Sequence, residues 1–355
     1  MRHPPRTVRR FRIIGAIAVP VYLAALILAF PLFNGWYTDA VSYVRVFIGK
    51  IAVSAGVAEK GQGIMLGVFK PEVPYAMDGL RDMQRQIGTP FDILAFYTTW
   101  GERPEDRFPI ELMRAVDEHG AMGMITWEPW TTEFAANAGR GQDAVRTDLK
   151  EITAGRYDAY IRTWAQEAVV YGRPFFLRFA HEMNNPQYPW SMDAGNTPDD
   201  FIAAWRHVWN IFEEEGAANV IWVWSPKREA PRQLYPGGAY VDWIGTGVFN
   251  YGSHGEAWYS FEYLYESVYR SVIVYDKPIM IAELGCATSG GSRPAWFSEA
   301  WHKISTQYPG TDAVVLYNNP ADRTLPGVQM DWSIEDDTPT LQTIATAVDN
   351  DIFQH

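Results

Sequence analysis

From about residue 62 onward, short runs rich in β-branched and aromatic residues alternate with longer segments of helical periodicity, and the alternation repeats eight times. The candidate strands are Ile64–Phe69, Asp92–Thr98, Met122–Trp127, Phe175–Ala180, Val220–Trp224, Val241–Gly247, Pro278–Ala282 and Ala313–Tyr317. Helical patterns lie between and after them at Ala76–Ile87, Ile110–His119, Leu149–Tyr171, Asp199–Glu215, Phe261–Val274, Pro294–Tyr308 and Thr338–Val348, with the link after the fifth strand the least defined. A strand that returns through a helix pairs in parallel with its predecessor, and parallel strands are buried on both faces.

Eight such units over roughly 290 residues match a closed (β/α)8 TIM barrel, with function expected in the loops at the C-terminal ends of the strands. An open doubly wound sheet would use fewer strands, and its dinucleotide-binding forms carry a glycine-rich first turn. Here the first strand runs into Phe69-Lys70-Pro71. The expected fold class is α/β, a (β/α)8 barrel over residues 62–355 preceded by a single N-terminal transmembrane helix.

That helix is read from Ile13–Phe33, which holds no charged residue and is long enough to cross hydrocarbon. Arg2, Arg6, Arg9, Arg10 and Arg12 precede it and Asp39 follows, so the positive-inside rule keeps the N-terminus in the cytoplasm and exports the rest. The expected organisation is a basic stub (1–12), a signal anchor (13–33), a linker (34–61) and the barrel (62–355), with the barrel exported to the periplasm or the exterior. A cleaved signal peptide is the alternative, and it implies export equally. Residues 41–58 are apolar but interrupted by Arg45 and Lys50, which argues against a second span.

The chain carries a formal charge of -12, and its first 33 residues contain five arginines and no acid. The exported part is therefore more acidic than the whole and would repel phosphate backbones, so nucleic acid is not an expected partner. The lone Cys286 excludes an intrachain disulfide and a multi-cysteine zinc site. It reads as a small core residue.

Two strand ends carry carboxylates. The fourth runs into Arg178-Phe-Ala-His181-Glu182-Met-Asn184-Asn185, the seventh into Ile281-Ala-Glu283-Leu-Gly285. Alternation by two places Arg178, Ala180 and Glu182 on one face, and Ile279, Ile281 and Glu283 on one face of the other strand. Two carboxyl groups at a barrel mouth suit glycoside hydrolysis, where one protonates the leaving oxygen and the other attacks or activates water. A metal site or an ion-pair network could use the same residues.

Competing motifs fail. The zinc-protease pattern HExxH requires a second histidine where Asn185 stands, and neither a GxSxG elbow nor a Walker loop is present. The seven histidines do not cluster at ligand spacing. Neither cofactor nor metal is expected. Trp100, Trp127, Trp130, Trp190 and Trp224 fall at or near strand ends, where flat rings suit sugar faces, and they suggest an elongated cleft.

On these residues the chain resembles glycoside hydrolase family 26, a group of retaining endo-β-glycanases that includes β-mannanases and mixed-linkage β-glucanases. The resemblance covers roughly residues 62–350. It rests on Arg178-Phe-Ala-His181-Glu182-Met-Asn184 with Tyr188-Pro-Trp190, on Lys277-Pro-Ile-Met-Ile-Ala-Glu283-Leu-Gly, and on Asp242-Trp-Ile-Gly-Thr-Gly-Val-Phe-Asn250-Tyr251-Gly. It implies Glu182 as general acid/base and Glu283 as nucleophile, with Tyr251 and Arg178 holding Glu283 ionised and Tyr251 hydrogen-bonded to it. His181 would orient Glu182 or a sugar, and Asn184, Trp127 and Trp190 would bind substrate.

The chain departs from the family's mannanases at Gln187, where many have tryptophan, and at Asn185-Pro186, where glycine is common. Thr126-Trp-Glu128-Pro-Trp130 is similar to the glucanase side of the family, and Glu128 reads as a structural ion-pair residue with sugar binding as the alternative. The expected activity is hydrolysis of a β-1,4-linked hexose polymer, β-mannan or mixed-linkage glucan. A transglycosidase, or a non-catalytic glycan-binding scaffold, is the alternative. Expected partners are the polysaccharide and the membrane, with a glycan synthase or export complex as a further candidate.

Overall fold

The computed structural model describes residues 63–73, 77–134, 147–255, 257–324 and 327–353. The stub, the expected transmembrane helix and the linker all lie outside them. Among the described residues no helix is long and apolar enough to cross a membrane.

Eight parallel strands close in sequence order, the eighth pairing with the first. They are β1 (Met65–Phe69), β2 (Ile93–Thr99), β3 (Met122–Glu128), β4 (Phe175–Phe179), β5 (Val220–Trp224), β6 (Trp243–Asn250), β7 (Ile279–Cys286) and β8 (Thr311–Tyr317). The helices are α1 (Asp78–Ile87), α2 (Ile110–Glu118), α3 (Leu149–Thr153), α4 (Asp158–Tyr171), α5 (Pro198–Glu215), α6 (Phe261–Val272), α7 (Arg293–Gln307) and α8 (Thr338–Asp349). The expected barrel is present. After β5 the chain makes one 3-10 turn, Arg232–Leu234, before entering β6.

Two layers of apolar side chains hold it. Met124, Phe176, Val223, Trp243, Met280 and Val315 belong to the inner layer that fills the barrel. The alternate residues, such as Ile125, Leu177, Trp222, Ile281 and Val314, pack in the outer layer with buried residues of the helices. The loops that leave the mouth end in capping residues. Thr197 and Asp200 form a capping box at α5 with Pro198 at its first position, while Ser260 and Ser292 cap α6 and α7.

Two expectations about elements are corrected. The pattern read as one helix over 149–171 is two helices, because Gly155 turns at φ +84° between them. The seventh strand runs on to Cys286, so Glu283 lies inside it.

Candidate active site

Glu283 is reached through a break in alternation. Ile279 and Ile281 face the outer layer and Met280 and Ala282 the inner one, so strict alternation would send Glu283 outward. The β6 register slips between Thr246 and Gly247, leaving Ile281 opposite Thr246 and Glu283 opposite Gly247, and the β8 register slips between Ile281 and Leu284. The irregularity turns Glu283 into the barrel and Leu284 back out, as bulges beside active sites commonly re-aim a side chain. Glu283 therefore does not share a face with Ile279 and Ile281.

Inside the mouth Glu283 is 7% exposed and heavily liganded. Arg178, itself buried, donates from Nη2 to Glu283 Oε1 at 2.5 Å, and the Tyr97 hydroxyl donates to the same oxygen. Arg178 also donates to Tyr97 Oη at 3.1 Å and from Nε to Thr126 Oγ1 at 2.9 Å. Strands β2, β3, β4 and β7 thus converge on one carboxylate. Arg178 pairs with that carboxylate and has almost no surface left for a sugar.

Glu182 arrives differently. β4 stops at Phe179, and Ala180 and Glu182 take left-handed backbone conformations at φ +44° and +49°, so the expected common strand face with Arg178 does not exist. Left-handed non-glycine residues persist only where their surroundings fix them. Here Ala180 N–H donates to Trp127 O at 3.1 Å, Glu182 N–H to Ser225 O at 2.6 Å, and Trp190 Nε1–H to His181 O at 2.8 Å. Asn185 Nδ2 donates to Glu182 Oε2 at 2.6 Å. Burial pushes the Glu182 carboxyl above the usual range, and the Glu283 charge adds to the rise against the opposing pull of Lys227, Asn185 and Arg178.

The two carboxyl groups flank Gly247. A methyl group added there would come within 3.6 Å of Glu283 Oε2 and 3.7 Å of Glu182 Oε1. The two oxygens can be no farther apart than the sum of those distances. With glycine at this position, no side chain fills the space between them.

A third carboxyl group stands beside them. Glu128, at the end of β3, accepts the Trp130 indole N–H at 3.0 Å, and burial pushes its carboxyl up to about 7. Its expected ion pair is absent among the described residues: the nearest basic group is His181, 3.9 Å away, whose pKa burial and then Arg178 hold well below the usual histidine value. His181 is buried, and its Nε2 meets the Tyr188 hydroxyl at 2.9 Å.

The aromatic expectations need correction. Trp100, Trp127, Trp190 and Trp224 are fully buried, and of the five only Trp130 is partly exposed. Trp127 stacks on Trp164 at 4.4 Å and packs against Trp100, while Trp190 stacks beneath Tyr188 at 4.5 Å. Neither ring lines the cleft. Smaller rings line the mouth instead: Phe69, Tyr97, Tyr188, Phe249, Tyr251 and Tyr317 are partly exposed and in mutual contact or beside the carboxylates.

Tyr251 packs on Trp332 and Phe249 and makes no hydrogen bond to Glu283; that bond belongs to Tyr97. Sequence reasoning misses Tyr97; once Ile93 and Ala95 are known to face inward, alternation along β2 is the signal that points to it. Asn184 uses its amide on the Lys227 backbone, accepting and donating at 2.8 Å, and so ties the β4 and β5 loops together. Cys286 is buried in the outer layer, where burial raises its thiol to about 12.

A parallel barrel whose mouth holds one carboxylate fixed by arginine and tyrosine, with a second carboxyl of raised pKa facing it, is a site of the glycosidase class. A sequence model described as Glycosyl hydrolase family 26 matches residues 140–325. Endoglucanase H of Acetivibrio thermocellus is 30% identical over 298 residues, covering 81% of this chain and 30% of that protein. Beta-1,3-xylanase TXYA of a Vibrio species is 32% identical over 151 residues, 36% of this chain and 32% of that one. The chain thus spans about a third of the length of these relatives.

Among solved structures, a GH26 beta-mannanase from Bacteroides ovatus superposes with a TM-score of 0.61 at 14% identity, covering 87% of this chain and 94% of that one. A modular endo-beta-1,4-mannanase from Cellulomonas fimi gives 0.61 at 16%, covering 86% and 75%. At such identities the likeness speaks for the fold alone. The chain belongs to glycosyl hydrolase family 26.

Proposed function

We propose that the chain is a retaining endo-β-glycanase acting on a β-1,4-linked hexose polymer. One observation carries the reading: Glu283, held by Arg178 and Tyr97, and Glu182, raised by burial and by the Glu283 charge, face each other across Gly247. Glu283 attacks the anomeric carbon while Glu182 gives its proton to the departing glycosidic oxygen, and a glycosyl ester forms on Glu283. Glu182, now ionised, takes a proton from water as that water displaces the ester, which restores both groups and retains configuration. The bound on the carboxyl separation set by Gly247 admits the gap of about 5–5.5 Å that retention uses and excludes only the upper part of the inverting range.

Mixed-linkage glucan is the favoured polymer. The relative matched over most of the chain is an endoglucanase by name, and Gln187 stands where many family mannanases carry tryptophan. The arginine-rich stub and the uncharged 13–33 segment support an exported catalytic domain tethered to the membrane.

The test is turnover of lichenan, mannan, cellulose and β-1,3-xylan by the full chain, with proton NMR of the first-formed anomer. Glucan cleavage with initial β-anomer, lost in Glu182→Gln and Glu283→Gln, is the expected result. Initial α-anomer, or undiminished turnover in either variant, contradicts the reading.

A further inference from the structure

Glu128 belongs to neither catalytic role, yet it stands in the same mouth with its side chain 13% exposed. Its Oε2 is occupied by the Trp130 indole N–H at 3.0 Å. Its Oε1 has no hydrogen-bond partner among the described residues and faces His181 Nδ1 at 3.9 Å. That nitrogen is buried and unpartnered, on a side chain that is 2% exposed. On the other side of the ring, Nε2 meets the hydroxyl of Tyr188 at 2.9 Å.

Burial and the Arg178 cation keep the imidazole neutral, so it carries one N–H. Tyr188 can serve Nε2 as donor or as acceptor. Nδ1 has only the carboxylate before it, and an N–H aimed at a negative oxygen is attracted where a lone pair is repelled. The proton therefore belongs on Nδ1 while Glu128 is ionised, and Nε2 then accepts the Tyr188 O–H. This leaves the Tyr188 oxygen free to accept.

The Tyr188 ring is partly exposed, stacked on Trp190, and its hydroxyl feels the charges of Glu182, Glu128 and Glu283, in that order. It lies within the field of all three carboxyl groups of the mouth.

We propose that Glu128 is a positioning residue for substrate recognition: through the Nδ1 proton of His181 it sets the hydrogen-bond polarity of Tyr188, which then accepts a sugar hydroxyl. The proposal rests on the endo-β-glycanase reading only for the identity of the ligand. Its internal part, the Glu128–His181–Tyr188 relay, stands on the geometry of the three side chains and the buried, neutral imidazole, whatever the ligand.

Glu128→Gln separates the charge from the shape. A glutamine has one oxygen, which the Trp130 N–H claims, so its amide N–H₂ turns towards Nδ1 and forces the proton of His181 onto Nε2. Nitrogen-15 NMR of the histidine rings in the full chain, above the titration of Glu128, should show His181 protonated at Nδ1 in the wild type and at Nε2 in the variant. Turnover of lichenan should show KM raised roughly fivefold with kcat nearly unchanged, the size of one lost hydrogen bond. In a Tyr188→Phe background the same substitution should have no further effect on KM.

A wild-type ring protonated at Nε2, an unchanged tautomer in Glu128→Gln, or full additivity with Tyr188→Phe overturns the relay. The NMR arm reads the relay even if the wild type cleaves no glycan, so a wrong substrate and a wrong relay give different results.

Discussion

Arg178 and Glu283 form an ion pair at 2.5 Å with both partners almost wholly out of water, one from β4 and the other from the irregular end of β7. Removing one member of a buried pair strands the other charge and costs about 3–5 kcal/mol. Arg178→Met is expected to lose about that much stability in urea unfolding and to abolish turnover. Lysine in its place should recover some stability but little activity, because it cannot bond Thr126, Tyr97 and Glu283 together.

Tyr97, and not Tyr251, hydrogen-bonds the proposed nucleophile. A hydrogen bond to a charged group contributes about 1.5–3 kcal/mol, so Tyr97→Phe should lower kcat/KM roughly ten- to a hundredfold. Tyr251→Phe leaves the Glu283 bonds in place and should act on KM more than on kcat. Steady-state kinetics of the two variants side by side checks this ranking.

Gly247→Ala should fold normally, since the added methyl meets Phe249, Glu283 and Glu182 only at ordinary contact distances of 3.4, 3.6 and 3.7 Å. It should nevertheless cut kcat/KM severely, because that methyl occupies the gap between the two carboxyl groups. A thermal midpoint near the wild type with activity lost is the expected pair of results.

Much of this architecture was readable beforehand. The βα rhythm gave eight strands, and β5 begins and ends at the residues expected, because each strand is a run of apolar residues bounded by polar turns. Glu182 and Glu283 stand out in the sequence by their place at the ends of the expected fourth and seventh strands, and the structure brings the two carboxyl groups to the same glycine, Gly247. The faces were not legible. Alternation fails where β7 slips register against β6 and where β4 ends in left-handed residues, and neither event follows from periodicity. The tryptophans misled for a related reason: a ring at a strand end can turn outward beneath the helices, as Trp127 does against Trp164, and position in the chain does not say which way. Trp127→Ala should accordingly destabilise by about 3–5 kcal/mol while leaving the KM of the folded fraction unchanged.

Glu128 makes stability depend on pH. Its folded carboxyl titrates at about 7 against an ordinary 4.5, so folding favours its protonated form. The stability it contributes is full below about pH 4.5 and is lost as pH rises through 7. The loss amounts to ~3 kcal/mol between the two limits. Glu128→Gln should flatten that part of the curve and leave the variant more stable than the wild type at pH 8, as read by urea unfolding across the range. Activity should carry its own limb: as the proposed general acid Glu182 needs its proton, so turnover should fall as pH rises through its elevated pKa.

The direct test of the central assignment is covalent trapping. A 2-deoxy-2-fluoro aryl β-cellobioside slows hydrolysis of a glycosyl ester, so the full chain incubated with it should gain one glycosyl mass, and peptide mapping should place it on Glu283. Label on Glu182 or Glu128, or release of the aryl group with inverted sugar and no adduct, would contradict the account.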